Sequence, residues 1–346
     1  MSVQKNSHNR GVKMNFRKSI HIIDTHTVGQ ATRIIVGGVP VLRGNTMMEK
    51  KEYFMEHCDE IRVMAMQEPR GHADMFGAVL TEPTCPEADY GMLFIDGAGC
   101  LNMCGHGTIG VAAALVETEM VKVTEPYTDL TLEAPAGLIC VRVEVEDGHA
   151  KNVSFRNVPA FLYKKDVKVE LPDFGTVTCD ISFGGNFFAI IKDSELDVDI
   201  APENLDDIIP KALELKKCIN EQIEIKHPLL DITTVDLVEI YGKAKSPDAD
   251  MQNVVVLGKG EVDRSPCGTG TCAKIADLHA RKELALNEKF VYESVLRAKF
   301  SARVVEECKV ADYDAIIPEI TGSAYITGFN HLVLDRRDPI GYGFSI

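Results

Sequence analysis

The chain has 346 residues, 45% of them hydrophobic, and a formal net charge of −15. That length accommodates two domains with sizeable cores, and the acidity argues against nucleic acid or an anionic membrane surface as a partner. No apolar stretch is long enough to span a bilayer, so no membrane association is expected.

Residues 1–15 open with a polar run that lacks the apolar core of a signal peptide. We read them as a disordered tail and expect a cytoplasmic protein. Residues 19–24 and 32–38 pattern as a strand pair, 48–66 as a helix, and 90–95 as an apolar strand. The motif 102–108 follows, then a helical pattern in which Ile109, Ala112, Ala113 and Val116 recur at spacings of three and four. Residues 141–145 and 151–155 pattern as another strand pair, joined by the turn signal Glu146-Asp147-Gly148. After Tyr163 the texture shifts to Lys164-Lys165-Asp166, a candidate domain crossing. The second half then repeats the order: strands through 184–190, a helix from about 202 to 223 and an apolar strand at 254–257. The motif 263–271 follows, with its own helix carried by Ile275, Leu278 and His279, and then more strands. The economical reading is α+β, two similar halves arisen by duplication.

The two motifs share the pattern Cys-Gly-x-Gly-Thr, at Cys104 and at Cys267. Each falls at a strand-to-helix junction. The unsatisfied N–H groups and the positive dipole end of a helix start favour anions and lower a thiol's pKa. The glycines let backbone approach a ligand closely. Each copy therefore offers a reactive sulfur and part of an anion cradle.

With no export signal, the ten cysteines are expected as free thiols, most of them buried, with Cys58, Cys140, Cys218 and Cys308 as core. Zinc is a poor reading because no Cys-x-x-Cys pair occurs, and neither Cys100 with Cys104 nor Cys267 with Cys272 has a second knuckle. No Gly-x-Gly-x-x-Gly is read after a strand in a βαβ unit, and no Walker-type Gly-x-x-x-x-Gly-Lys is present. No cofactor and no metal are expected.

The sequence resembles the proline racemase family. The resemblance is carried by Asp24-Thr25-His26-Thr27, by Glu68-Pro69-Arg70-Gly71-His72 with Asp74-Met75-Phe76-Gly77, and by the stretches 102–110, 263–271 and 321–325. It implies a diaminopimelate epimerase-like fold: two pseudo-symmetric halves, each a barrel-like sheet around a central helix, with the site in the cleft between them. On that basis residues 16–163 and 335–346 form the half carrying Cys104, and 164–334 the half carrying Cys267. The resemblance implies an amino-acid racemase or epimerase independent of pyridoxal phosphate and metals, acting on a small imino acid, and a homodimer.

It also assigns roles. Cys104 and Cys267 would be the two acid/base thiols. The amides of Gly105, His106, Gly268 and Thr269 would hold the substrate carboxylate. Asp263 would pair with the ring ammonium, with the His106 side chain nearby. Phe76 and Leu257 would wall the ring. Proline racemases of this family commonly carry Phe at both wall positions, and 4-hydroxyproline 2-epimerases carry smaller or more polar residues. Leu257 therefore favours proline while leaving room that Phe would fill. Dehydration of trans-3-hydroxyproline goes with loss of the second cysteine, which is present here. Gln30 departs from a Glu common among relatives. The bland readings are that Asp263 is a cap or a salt-bridge partner of Arg264, His106 a cap, Phe76 and Leu257 plain core, and Cys100 and Cys272 structural. Outside enzymology the rival is a binding protein on the same scaffold.

Overall fold

The computed structural model describes residues 16–335 and 337–344; the expected tail, 1–15, lies outside them. The first half runs β1 (Phe16–Thr27), β2 (Gln30–Gly37), α1 (Met47–His57), α2 (Asp59–Met66), β3 (Phe76–Thr81), β4 (Tyr90–Asp96), β5 (Cys100–Leu101), α3 (Gly105–Glu117), β6 (Tyr127–Ala134), β7 (Gly137–Glu146) and β8 (His149–Arg156). The second runs β9 (Phe161–Leu171), β10 (Gly175–Phe183), β11 (Phe187–Lys192), α4 (Leu205–Gln222), β12 (Leu237–Lys243), β13 (Met251–Leu257), β14 (Glu261–Val262), α5 (Gly268–Ala280), β15 (Phe290–Glu293), β16 (Lys299–Val310) and β17 (Tyr313–Gly322). A last strand, β18 (Ala324–Asp335), completes the chain.

The halves match pair for pair. β2 lies parallel to β3 and β4 to β6; in the second half β11 lies parallel to β12 and β13 to β15. The remaining neighbours within each half are antiparallel. Even the details repeat: Glu133 at the end of β6 accepts from the amides of Thr84 and Cys85, and Glu293 at the end of β15 accepts from those of Lys245 and Ser246.

β18 runs antiparallel to β1 from Phe16↔Asp335 to Thr27↔Ala324, as β9 does to β10. The return to the first half therefore begins at about Ala324, not at 335 as read from the sequence. The exposed residues of β18 mix Tyr325 and Phe329 with Thr327, Asn330 and His331, a pattern that does not distinguish its partner strand. The halves are stitched where β8 meets β17, with Ser154 opposite Thr321 and their hydroxyls 2.7 Å apart.

Why each central helix is central follows from its composition. From Gly105 to Val116 every residue of α3 is buried, and apart from His106 the side chains are small or aliphatic all round. A helix apolar on every face needs cover on every face, and the sheet supplies it. β7 alternates, sending Ile139, Val141, Val143 and Val145 inward, so Cys140 between them is exposed and not core. Cys58 and Cys218 are buried, and Cys308 half-buried. The helix expected over 48–66 is two helices, broken at Cys58, whose amide closes the last turn on Phe54 while Asp59 and Glu60 open the next. Among the described residues no helix is long and apolar enough to cross a membrane.

Candidate active site

β4 and β13 each end in a short β-hairpin arm that delivers a cysteine to the first turn of a buried helix. Cys104 caps α3 in extended geometry; Cys267 caps α5 with φ of 62°, a left-handed conformation uncommon for a residue with a side chain. The helices meet start to start. A Cβ built on Gly105 would stand 3.1 Å from Cα of Gly268, and one on Gly268 equally near Cα of Gly105. The first-turn amides, which have no acceptor within their own helices, therefore converge on one place.

Both thiols are enclosed, Cys104 at 8% and Cys267 at 6% exposure. Each has a companion two residues on. Cys104 Sγ lies 3.5 Å from His106 Nδ1, and Cys267 Sγ lies 3.6 Å from Thr269 Oγ1. Thr27 Oγ1 donates to the His106 carbonyl at 2.8 Å, pinning that turn to β1. Burial pushes the Cys104 thiol up to about 12. The Gly107 and His106 amides oppose the rise, and the charges of Asp263 and Asp96 add to it. Cys267 is likewise pushed up, by burial and then by Asp263, against the Gly270 amide and the Thr269 hydroxyl. The lowered thiol pKa expected from the helix starts is thus outweighed, because desolvating a thiolate costs more than a few amides return. Burial also lowers the His106 pKa.

Asp263, the first residue of the second motif, is buried, and its Oδ1 accepts from the amide and hydroxyl of Ser265, both at 2.8 Å. Its expected rival partner is engaged elsewhere: the Arg264 guanidinium donates to Asp74 at 2.7 Å and to the Val262 carbonyl at 2.9 Å. Gln30 shows what its position does. Its Oε1 accepts from the Arg264 amide at 2.9 Å and its Nε2 donates to the Asp74 carbonyl at 3.2 Å. Gln30, Asp74 and Arg264 form a clasp between the halves beside the thiols. Sequence reading missed Ser265, Asp74 and Arg264 as site elements, although all three lie inside the quoted motifs.

Phe76, at the start of β3, sets its ring edge-on to His106 with centroids 4.9 Å apart. Leu257 ends β13, half-buried, next to the arm that carries Asp263. Cys272 is fully buried in α5 and takes the Asn157 amide at 3.2 Å, a packing role; Cys100 lies on β5, partly covered.

The spacing Gly105-x-Gly107-x-x-Gly110 is in fact present, between the parallel strands β4 and β6. Its purpose is packing: a Cβ on Gly107 would meet the Phe94 ring at 2.8 Å, and one on Gly110 the Thr25 hydroxyl at 2.9 Å. The glycines let the helix pack closely against its sheet.

The comparisons with known proteins agree with this architecture. A family model described as proline racemase matches residues 22–345. The proline racemase of Clostridioides difficile is 58% identical over 334 residues, covering 96% of this chain and 100% of the relative. A 4-hydroxyproline 2-epimerase of Streptosporangium roseum is 46% identical over the same shares of both chains. The crystal structure of a hydroxyproline epimerase from Agrobacterium vitis, with bound trans-4-hydroxy-L-proline, superposes with a TM-score of 0.86 at 29% identity, covering 96% of this chain and 97% of that one. The fold and these relatives define an isomerase of the racemase and epimerase class, with the diaminopimelate epimerase-like α+β architecture. Within that class the chain belongs to the proline racemase family.

Proposed function

We propose that this chain interconverts L- and D-proline by proton transfer at the α-carbon between two thiols, without a cofactor. The observation that carries the reading is the head-to-head meeting of two helix starts, each led by a cysteine. Inversion needs a base on one face of the carbon and an acid on the other, and pseudo-symmetric thiols supply both. One sulfur, as thiolate, takes the α-proton; the other, as thiol, gives one to the opposite face. The protonation states end exchanged, ready for the other enantiomer.

The α-proton is far less acidic than a thiol, so the negative charge growing on the carboxylate must be stabilised. The amides of Gly105, His106, Gly268 and Thr269 serve this purpose, and a preorganised donor of that kind is worth roughly 3–4 kcal/mol of barrier. Asp263 takes the ring ammonium. That pairing also offsets the charge that raises both thiols, so substrate binding itself eases formation of the thiolate. The clasp of Gln30, Asp74 and Arg264 holds the halves closed and water out.

Phe76 and Leu257 favour the unsubstituted ring, since they offer no hydrogen bond to a ring hydroxyl and burying one unpaired costs about 1–3 kcal/mol. The second reading, 4-hydroxyproline 2-epimerase, is favoured by the space Leu257 leaves where Phe would stand. Polarimetry on L-proline and trans-4-hydroxy-L-proline in parallel tests the choice: a higher kcat/KM on proline supports the first reading, and a higher value on hydroxyproline the second. On the same resemblance we take the active form to be a cytoplasmic homodimer, and light scattering of the purified protein tests the assembly.

A further inference from the structure

The match between the halves fails chemically at one place. In β3, β4 and β6, around α3, equivalent interior positions hold Ala78, Met92 and Leu132; in β12, β13 and β15, around α5, they hold Glu239, Asn253 and Tyr292. All three of the latter are at 0% exposure. Tyr292 Oη donates to Glu239 Oε1 at 2.7 Å, and Asn253 Nδ2 donates at 2.8 Å to the carbonyl of Pro266, the residue before Cys267. Glu239 Oε2 and Asn253 Oδ1 are buried acceptors without a donor. Oε2 is aimed at the first turn of α5, where a Cβ on Gly270 would meet it at 2.4 Å. Buried acceptors left without donors are costly, and a proton on the carboxyl supplies one.

We propose that Glu239 is held as a neutral carboxylic acid and acts as a positioning residue for Cys267. Through its neighbour Asn253 it fixes the Pro266–Cys267 turn, and while neutral it adds no second negative charge behind the thiol. The proposal rests on the reading of Cys267 as an acid/base thiol. Burial pushes the Glu239 carboxyl up to about 7, against the Tyr292 hydrogen bond and the Lys274 charge. The groups that face it are Tyr292 from β15, Tyr241 from its own strand, Lys274, Asp277 and Cys272 from α5, and Cys267. β11 contributes Phe188 and Ile190, both apolar. Lys274 is already taken up by Asp277 at 3.0 Å and by the Tyr241 ring at 3.6 Å. When Glu239 ionises, its charge adds to that of Asp263 in keeping Cys267 protonated. Cys104 has Ala78 at the corresponding place, so the effect falls on one thiol.

Two measurements on the full chain test this. The first is infrared difference spectroscopy of wild type against Glu239→Gln. A protonated-acid carbonyl band should be present at about pH 6, lost by about pH 9, and absent from the variant. Tyr292→Phe, which removes the hydrogen bond to Oε1, should shift the band, so assignment does not depend on one variant folding. The second is the rate of iodoacetamide alkylation at each cysteine, resolved by peptide. Across that pH range the ratio of Cys267 to Cys104 labelling should fall several-fold in wild type and stay level in Glu239→Gln, which keeps a donor for Asn253. No band at the lower pH, or ratios that move alike in both proteins, would overturn the proposal. If alkylating Cys267 leaves racemisation intact, the reading of that thiol fails instead, and the band is unaffected by that result.

Discussion

Gly105 and Gly268 pack backbone to backbone at the meeting of the two helix starts, so a Cβ on either would crowd the other at 3.1 Å. In the proposed mechanism their contact sets the spacing of the amides that hold the substrate carboxylate. Gly105→Ala or Gly268→Ala should push the helices apart by a few tenths of an ångström or more. We expect kcat to fall at least tenfold, about 1.4 kcal/mol of barrier, with the circular dichroism spectrum unchanged. Wild-type turnover in either variant would show that the contact does not set the geometry.

Asp263 raises both thiols by its charge and, in the proposed mechanism, holds the substrate ammonium. Removing the charge therefore has opposite effects on two assays. In Asp263→Asn both thiols titrate lower, so alkylation of the free protein at about pH 8 should quicken. Racemisation should fall by about 100-fold or more, because the ammonium then enters a buried site without a counter-charge. Slower alkylation would mean that the thiols do not sense this carboxylate.

The clasp links Arg264 in the second half to Gln30 and Asp74 in the first. Arg264→Ala should loosen closure while leaving each half folded. We expect KM for proline to rise about five- to tenfold and the free thiols to alkylate faster, as enclosed sulfurs become accessible. An unchanged KM with unchanged labelling would assign the clasp to packing alone.

Leu257 ends β13 and Phe76 begins β3, and in the proposed site the two wall the ring from the two halves. Leu257→Phe should raise the ratio of kcat/KM for proline over trans-4-hydroxy-L-proline by about tenfold, since filling an apolar pocket discriminates at that scale. A ratio that moves toward hydroxyproline would remove Leu257 from the ring wall.

Much of this was legible in the chain. The repeated Cys-Gly-x-Gly-Thr motif marked both strand-to-helix junctions, and the spacings of three and four after Cys104 marked a helix there. What escaped depends on contacts between distant segments. Nothing near Gln30 shows that it will meet the amide of Arg264, 234 residues on. Local periodicity could not show that β18 returns to lie along β1, because its outward residues are mixed in polarity. The thiol pKa values were misjudged for a related reason: the helix start is a local feature, whereas burial is set by the whole fold. Cys140 went astray more simply, by falling on the outward phase of an alternating strand.

In the proposed mechanism two different thiols act on opposite faces of the α-carbon. Racemisation of L-proline in deuterium oxide, followed to a few per cent conversion, tests it most directly. If Cys104 and Cys267 divide the work, the D-proline formed carries solvent deuterium at the α-carbon while the recovered L-proline keeps its protium. Cys104→Ser and Cys267→Ser should each abolish inversion in both directions. Deuterium in the recovered L-proline at the same early stage, or appreciable turnover in either variant, would show that one group serves both faces and would contradict the account.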